Sequence, residues 1–422
     1  MRLKRLTSVV VAAAAVALGL AACSGGTGEG SGGGTSSNGT VTLQFPSWQA
    51  TEPGYEQFYK SQVAQFEKSH PNVKINFYEV TYDNFIQQMT TELSANDAPD
   101  ILPLPVANYA AFASDGFLTN LDSDLQGTDI LSSWTPGQKS MQVNGHYYGV
   151  LMQAAGYVLY ANKQLLAAKH LSIPTTMAQL LADCKALTGN GTYGIAMPTA
   201  QDPNIVSYAS AFIVGNGQQL LVNNKYNLTD PKVVSDVQQY RELAQYAAPG
   251  LITEQARQIY NSGKAAFLLD GIFELPAIAS ASKSVYASTE MLKMPTPSQV
   301  TKLSSSLQIP AGISQQHKQL AWEFIKQVTS PAAQTEFAQD TQTPAPRTSV
   351  NAAVASSIPF YSVQQASDNG LNIVPSVTWF QANYGEIGTD FGDAMTKLFT
   401  SNASASSALA GLQAQLPAPG SS

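Results

Sequence analysis

The 422-residue chain is poor in charge, cysteine and histidine. Charged residues make up 12% of it, with 22 Lys and Arg against 29 Asp and Glu. The formal net charge of −7 disfavours nucleic acid or an anionic lipid surface as a partner. Only two cysteines occur, Cys23 and Cys184, and the four histidines are isolated from one another. We therefore expect no disulfide, no metal centre and no cofactor.

Complete catalytic signatures are also missing. The patterns G-x-S-x-G, H-E-x-x-H and G-x-x-x-x-G-K-[ST] do not occur. Residues 280–283 match S-x-x-K and residues 367–369 match S-D-N, but the K-T-G that completes this penicillin-binding set does not follow. Paired acids for glycoside hydrolysis stay open, because their separation depends on the fold. A secreted cell-envelope hydrolase, glycosidic or penicillin-binding-like, is thus the alternative function, and a structural envelope lipoprotein is a further one.

The N-terminus has the pattern of a secretion signal. Arg2, Lys4 and Arg5 precede an apolar segment over 9–22, and a Gly/Ser-rich tract follows. Residues 20–23 (LAAC) resemble the lipobox of bacterial lipoproteins, whereas the simpler alternative is an ordinary signal peptide with a chance cysteine. We predict a signal peptide over 1–22, lipidation of Cys23 and a flexible tether over 23–40. The protein would then lie at the outer face of the cytoplasmic membrane, held by its lipid anchor only.

The rest of the chain alternates strand-like and helix-like patterns. Strands are predicted over 41–45 and 73–78, and helices over 55–68 and 82–93, with a second such series beginning near Gly149. This alternation predicts α/β architecture with mostly parallel sheets, in two lobes with a cleft between them. Cys184 falls in an apolar-periodic helix and is expected to be a small buried side chain.

Four separated stretches resemble the extracellular solute-binding proteins of ABC importers, specifically the maltose-binding-protein-like sugar-binding family 1. They lie, in order, within residues 66–122 (FEKSHPNVKI, APDIL, DGFLTNLD), 144–166 (NGHYYGV, YVLYANKQLL), 263–275 (GKAAFLLDGIFEL) and 321–350. Their order and spacing cover nearly the whole mature chain. The resemblance implies a bilobal type II periplasmic-binding-protein-like fold, with lobe 1 over 41–149 plus 301–347 and lobe 2 over 150–300 plus 348–422.

The resemblance also implies the function. It predicts a monomeric binding protein, not an enzyme, that captures an uncharged or weakly charged sugar or oligosaccharide by hinge closure and delivers it to the permease subunits of an ABC transporter. Arg347 is expected in a structural ion pair. Trp379 is the preferred stacking residue, and Asp202 and Asp270 are expected to accept hydrogen bonds from hydroxyl groups. The predicted ligand contacts are Trp48, Glu52, Asn108, Gln153, Asp202, Asn204, Asp270, Phe273 and Trp379.

Overall fold

The computed structural model of the chain describes residues 39–420. The predicted signal peptide, Cys23 and nearly all of the predicted tether lie outside these residues. Within 39–420, no helix is both long and apolar enough to cross a membrane.

The first part of the chain alternates strands and helices, as the sequence pattern predicts. Its elements are β1 (Val41–Ser47), α1 (Tyr55–Ser69), β2 (Val73–Glu79), α2 (Tyr82–Ser94), β3 (Leu102–Pro105), α3 (Val106–Ser114), α4 (Asp122–Gln126), α5 (Ile130–Ser133), β4 (Gln142–Val143) and β5 (His146–Tyr147). The four elements predicted from 41 to 93 are confirmed to within two residues at each end.

The middle of the chain continues this alternation. It contains β6 (Gly149–Asn162), α6 (Lys163–Ala168), α7 (Met177–Leu187), β7 (Tyr193–Ala196), α8 (Ile205–Gly215), β8 (Leu221–Val222), β9 (Lys225–Tyr226), α9 (Pro231–Ala244), α10 (Thr253–Asn261), β10 (Ala265–Gly271), α11 (Glu274–Ala281), α12 (Lys283–Ser288) and β11 (Thr289–Lys293).

The last part is mostly helical after one long strand. It contains β12 (Val300–Gln308), α13 (Gln315–Val328), α14 (Pro331–Thr341), α15 (Thr348–Val354), α16 (Tyr361–Asp368), β13 (Leu371–Asn372), α17 (Thr378–Ala382), α18 (Tyr384–Thr400) and α19 (Ala405–Gln415).

The sheets are mixed, so the prediction of mostly parallel sheets is wrong for the largest one. Parallel pairing is found for β1 with β2 and for β7 with β10. In the large sheet, however, β6 pairs antiparallel with β10, β11 and β12. For the β6–β12 pair, the reason is that both are long strands that cross between the lobes in opposite directions. The alternation of strands and helices along the chain does not reveal the direction of such a strand.

The buried apolar residues form separate cores for the two lobes. One cluster takes side chains from residues 43–152 and 303–358, and a second takes most of its side chains from residues 157–300 and 373–416. A third, smaller cluster covers the other face of the lobe 2 sheet. Along β6 the clusters alternate, with Leu159 in the second and Val158 and Tyr160 in the third, as the period of two in a strand requires.

Two side chains predicted to be structural are confirmed as such. Cys184 is fully buried in the lobe 2 core, and burial raises the pKa of its thiol. Arg347 makes a bidentate ion pair with Asp129, at 2.7 and 2.8 Å, and its guanidinium lies 5.3 Å from the ring centroid of Trp134.

Candidate ligand-binding cleft

The floor of the cleft is one face of the ribbon formed by β6 and β12. Gln153, Ala155 and Tyr157 alternate along β6 and therefore project to the same face. Lys302 of β12 lies directly opposite Ala155, so its side chain projects to that face as well. Gln153 bonds to residues of lobe 1 and Lys302 bonds to a residue of lobe 2, so this face contacts both lobes.

The opposite face of the ribbon is covered by α16, the third segment that passes between the lobes. The N–H of Gly156 donates to Oδ1 of Asp368 at 2.9 Å, and a Cβ on Gly156 would come within 2.2 Å of the Cβ of Ser367. Burial raises the pKa of Asp368 well above its usual value, although the hydrogen bond from that N–H lowers it.

The register of the β6–β12 pair shifts on both sides of Ser305, which makes this part of the ribbon a bulge. The ribbon and α16 together form the hinge.

The lobe 1 wall of the cleft is built from amide and hydroxyl groups. Gln49, in the helical turn that follows β1, donates from Nε2 to Oε1 of Gln153 at 3.2 Å. Gln153 in turn donates to the hydroxyl of the buried Tyr55. Oε1 of Gln49 is buried and has no hydrogen-bond partner among the residues that the structure describes. This wall therefore contains a buried acceptor that the described residues leave unsatisfied.

Glu52 is the acid of this wall, and it faces lobe 2. Burial raises the pKa of Glu52 to about 7, the positive charge of Arg257 in α10 acts against that shift, and the negative charge of Glu254 adds to it. The other neighbours of Glu52 are the buried Tyr55 and Tyr59 of α1. Glu52 is thus an acid whose charge is set partly by the opposite lobe.

The lobe 2 wall is organised around Arg257. Its Nε lies 2.8 Å from Oδ2 of Asp270 and its second terminal nitrogen 3.1 Å from Oδ1, while Nε is also 3.2 Å from Oε2 of Glu274. Burial raises the pKa of Glu274 to about 8 although Arg257 lowers it. The guanidinium also lies 5.3 Å from the ring centroid of Phe273. One cation thus holds two buried carboxyl groups and an aromatic ring at the end of β10.

Asp202 and Asp270 already bind groups of the protein. Asp202 accepts from the N–H of Asn204 at 2.8 Å and from the N–H of Thr253 at 2.6 Å. Asp270 accepts from Arg257, from the N–H of Gly271 and from the hydroxyl of Tyr208. The structure therefore gives both carboxylates a role in holding the wall in shape.

A cluster of hydroxyl groups lies beside the floor on the lobe 2 side. Oγ of Ser207 in α8 is 3.0 Å from the hydroxyl of Tyr384 and accepts from Nζ of Lys302 at 3.1 Å. The rings of Tyr157 and Tyr208 contact edge to face, with centroids 5.6 Å apart. Burial raises the pKa of Tyr384 to about 12 and shifts Tyr157 in the same direction. These tyrosines remain neutral hydrogen-bonding groups at physiological pH.

The two predicted tryptophans are both largely buried. Trp48 is 7% exposed and packs edge to face on Phe85, with centroids 4.9 Å apart. Trp379 is 8% exposed, in the first turn of α17, and packs edge to face on Tyr226 at 5.5 Å. No distance to a ligand tests the stacking role predicted for Trp379, which stays a prediction.

The remaining predicted amides, Asn108 and Asn204, lie at the starts of two helices. Asn108 is half-buried near the start of α3, and Asn204 caps the start of α8 without a side-chain bond to it. Ala107 of α3 belongs to the lobe 2 cluster, and Phe273 of lobe 2 packs against the lobe 1 cluster. The two lobes therefore pack against each other in this structure, which is a closed arrangement.

The serine of the S-D-N match has a structural role, since Oγ of Ser367 donates to the carbonyl of Val363 within α16. Within the S-x-x-K match, Ser282 next to the lysine caps α12 by accepting from the N–H of Val285. Among the described residues, no group of three or more His, Cys, Asp or Glu could hold a metal ion.

Sequence reasoning missed Arg257, Lys302, Ser207 and Tyr384. Arg257 is one of few cations in its region, and Lys302 is a single charge in a strand of Thr, Ser and Leu, so an unusual charge was the available signal. Their partners come from distant segments, which the sequence pattern alone does not pair.

Two lobes that meet over a three-segment hinge, with polar walls above its ribbon, define a class of ligand-binding proteins. The chain belongs to the bacterial extracellular solute-binding protein family, whose model matches residues 61–360. The resemblance stated from the sequence is thereby confirmed.

Curated relatives match part of the chain. A Streptomyces antibioticus protein named as a lipoprotein is 30% identical over 38% of this chain and 37% of its own length. The galactooligosaccharide-binding protein of Bacillus subtilis is 25% identical over 56% of this chain and 57% of its own. The diacetylchitobiose-binding protein DasA of Streptomyces coelicolor is 25% identical over 64% and 65%. The chain thus spans between about a third and two thirds of the length of these relatives.

Solved structures share the fold over most of both chains. A solute-binding protein of an ABC transporter from Thermotoga lettingae, bound with α-D-tagatose, has a TM-score of 0.79 at 17% identity and covers 89% of this chain and 98% of its own. Maltose-bound MalE3 of T. maritima has a TM-score of 0.78 at 21% identity, with the same coverage. The predicted bilobal periplasmic-binding-protein-like fold is confirmed.

Proposed function

We propose that this protein is the sugar-binding lipoprotein of an ABC importer, which closes its lobes on a sugar or oligosaccharide and delivers it to the membrane permease. The observation that carries the proposal is the ribbon floor with a polar wall from each lobe above it. A ligand that contacts both walls stabilises the closed form over the open one, and a permease that recognises the closed form then responds to ligand.

The chemistry of the walls suits a sugar. A pyranose has apolar C–H faces and a rim of hydroxyl groups, so it needs flat side chains together with paired donors and acceptors. Gln49, Gln153, Asn108 and Asn204 would supply amide contacts, and Phe273 an aromatic face. In this proposal Asp202 and Asp270 position the wall, Trp48 supports it from the lobe 1 core, and Trp379 is the candidate stacking residue.

A thermal-shift screen tests the proposal. The panel holds mono- and oligosaccharides, including galacto-oligosaccharides and diacetylchitobiose because two relatives carry those names. A ligand at about 100 times its Kd stabilises the fold by about 2.7 kcal/mol. A panel that gives no shift would contradict the proposal.

We propose further that the protein does not transform its ligand. Arg257 holds Asp270 of the lobe 2 wall in a bidentate ion pair, so Asp270 is not free as a base for hydrolysis. Chromatography of each ligand after long incubation checks this, and appearance of a shorter sugar would favour the hydrolase alternative.

The anchoring and the division into lobes remain proposals. Lipidation at Cys23 predicts that Cys23→Ala releases the protein from the membrane fraction without unfolding it. Mass spectrometry of native protein that finds Cys23 unmodified would refute the anchor. A single protein molecule, in contact with permease subunits and with the membrane through the lipid alone, is the expected arrangement.

A further inference from the structure

Lys302 is a cation on the cleft floor, and its two contacts are with neutral side chains. Its Nζ donates to Oγ of Ser207 at 3.1 Å and lies 5.6 Å from the ring centroid of Tyr384. Ser207 is its one hydrogen-bond partner within residues 39–420, although an ammonium group has three donors. Donor capacity is therefore left over at the floor.

Within residues 39–420, no carboxylate forms an ion pair with Lys302. The residue opposite it in the ribbon is Ala155, whose methyl group cannot pair with a charge. Of the buried aspartates in the lobe 2 wall, Asp270 is paired with Arg257 and Asp202 is bonded to backbone N–H groups. A half-buried ammonium without a counter-ion favours an anion from outside the chain.

We infer that the ligand is a sugar acid, whose carboxylate binds Lys302 together with the hydroxyl groups of Ser207 and Tyr384. This inference rests on the proposed function and names the substrate class of the same cleft. A single ammonium with hydroxyl donors matches the single charge of a carboxylate, whereas a phosphate monoester carries nearly two negative charges at neutral pH. The one arginine of this wall is already bound to two acids.

The other acids of the cleft do not oppose this assignment. Burial raises the pKa of Glu274 to about 8 and that of Glu52 to about 7, so Glu274 is largely neutral and Glu52 partly neutral at neutral pH. Neither carries a full negative charge to repel an incoming carboxylate.

The test uses sugar pairs that differ only in the acid group. Calorimetric titration of the protein with D-galactose and D-galacturonate, with D-glucose and D-glucuronate, and with the corresponding disaccharides compares each neutral sugar with its acid. We expect an acid member to bind at least about tenfold more tightly than its neutral partner, because one desolvated charge pair is worth that much or more.

Lys302→Met keeps the length of the side chain and removes the charge. This variant is expected to lose the preference for the acid: its affinity for the acid should fall at least about tenfold and its affinity for the neutral sugar should change little. Lys302→Arg keeps the charge and should retain part of the preference. The matched control is Lys163→Met, since Lys163 pairs with Glu290 on the surface; it should leave both affinities unchanged. Melting temperatures confirm that each variant is folded.

Two results would overturn the inference. If neutral sugars bind as tightly as their acids and the lobes close on them, the inference of a sugar acid is refuted. The proposed function then still stands. A preference for acids that survives Lys302→Met would refute the role of Lys302. Failure of every sugar, neutral or acidic, to bind would refute the proposed function and this inference together.

Discussion

The two walls of the cleft use different chemistry on the same floor. The lobe 1 wall presents an amide, a tyrosine hydroxyl and the acid Glu52, with Gln49 bonded to Gln153 of the floor. The lobe 2 wall presents a buried charge cluster centred on Arg257, together with Ser207 and Tyr384 beside Lys302. Charged groups in a fixed network hold their geometry, whereas amides can donate or accept. The comparison suggests that lobe 2 orients the ligand and lobe 1 completes its hydrogen bonds on closure.

The largest expected effect is a loss of stability, and it should differ between the buried arginines of the two lobes. Arg257→Met leaves Asp270 and Glu274 unpaired, with side chains only 2% and 6% exposed, so the free energy of unfolding should fall by about 3 to 5 kcal/mol. Arg347→Met should cost less, because its partner Asp129 is 61% exposed and can be solvated. Urea denaturation at pH 7 measures both.

The control for this pair is Lys163→Met at an exposed ion pair, which should change stability by less than about 1 kcal/mol. An Arg257→Met variant as stable as this control would show that the lobe 2 cluster is not what holds that wall.

The second effect compares one tryptophan from each lobe. Trp48→Ala and Trp379→Ala should each lower the free energy of unfolding by about 3 kcal/mol, since both side chains are largely buried. If Trp379 also stacks on the ligand, as predicted from the sequence, its variant should lose affinity where Trp48→Ala does not. Calorimetry on the folded variants decides this, and equal affinities would remove the stacking role.

The third effect concerns the ribbon that both walls share. Gly156→Ala places a Cβ against Ser367 of α16, and the overpacking should cost about 1 to 3 kcal/mol of stability and weaken ligand binding. The matched control is Gly411→Ala in α19, where a Cβ meets nothing within 4 Å. Because alanine favours a helix over glycine, this control should be neutral or stabilising. Similar losses in both variants would contradict the tight contact behind the ribbon.

The smallest effect is a pH dependence that originates in the lobe 1 wall. The pKa of Glu52 is raised to about 7 in the closed form, from 4.5 for a solvated group. If opening exposes Glu52, closure is coupled to the uptake of a proton at pH values between 4.5 and about 7. Ligand affinity should therefore be highest near pH 5 and fall as the pH rises to about 8. Glu52→Gln should flatten the profile, and Glu56→Gln, at an exposed pair with Lys60, should not.

Glu274 should act on stability in the same direction. Its pKa is raised to about 8 in the folded protein, so its contribution is complete below the unfolded value and is lost as pH rises through about 8. The melting temperature should therefore be lower at pH 8.5 than at pH 6. If the melting temperature of Glu274→Gln is the same at pH 6 and pH 8.5, the assignment to Glu274 is supported. If it falls over this range as much as that of the unsubstituted protein, the assignment is contradicted.

Local patterns predicted the elements well, and long-range pairing limited the rest. Helix α1 and strand β2 follow from periodicity, and the burial of Cys184 follows from its apolar helix. The antiparallel β6–β12 ribbon does not follow, because its register depends on a bulge at Ser305 that no local pattern marks. Lys302 could therefore not be placed opposite Ala155 from the sequence. The same limit applies to Asp270, whose partner Arg257 comes from a preceding helix.

Small-angle scattering with and without a ligand identified by thermal shift tests the central claim most directly. The account predicts a smaller radius of gyration for residues 24–422 when the ligand is bound, with the sugar recovered unchanged afterwards. A scattering profile that the ligand does not alter, together with formation of a shorter sugar, would contradict it.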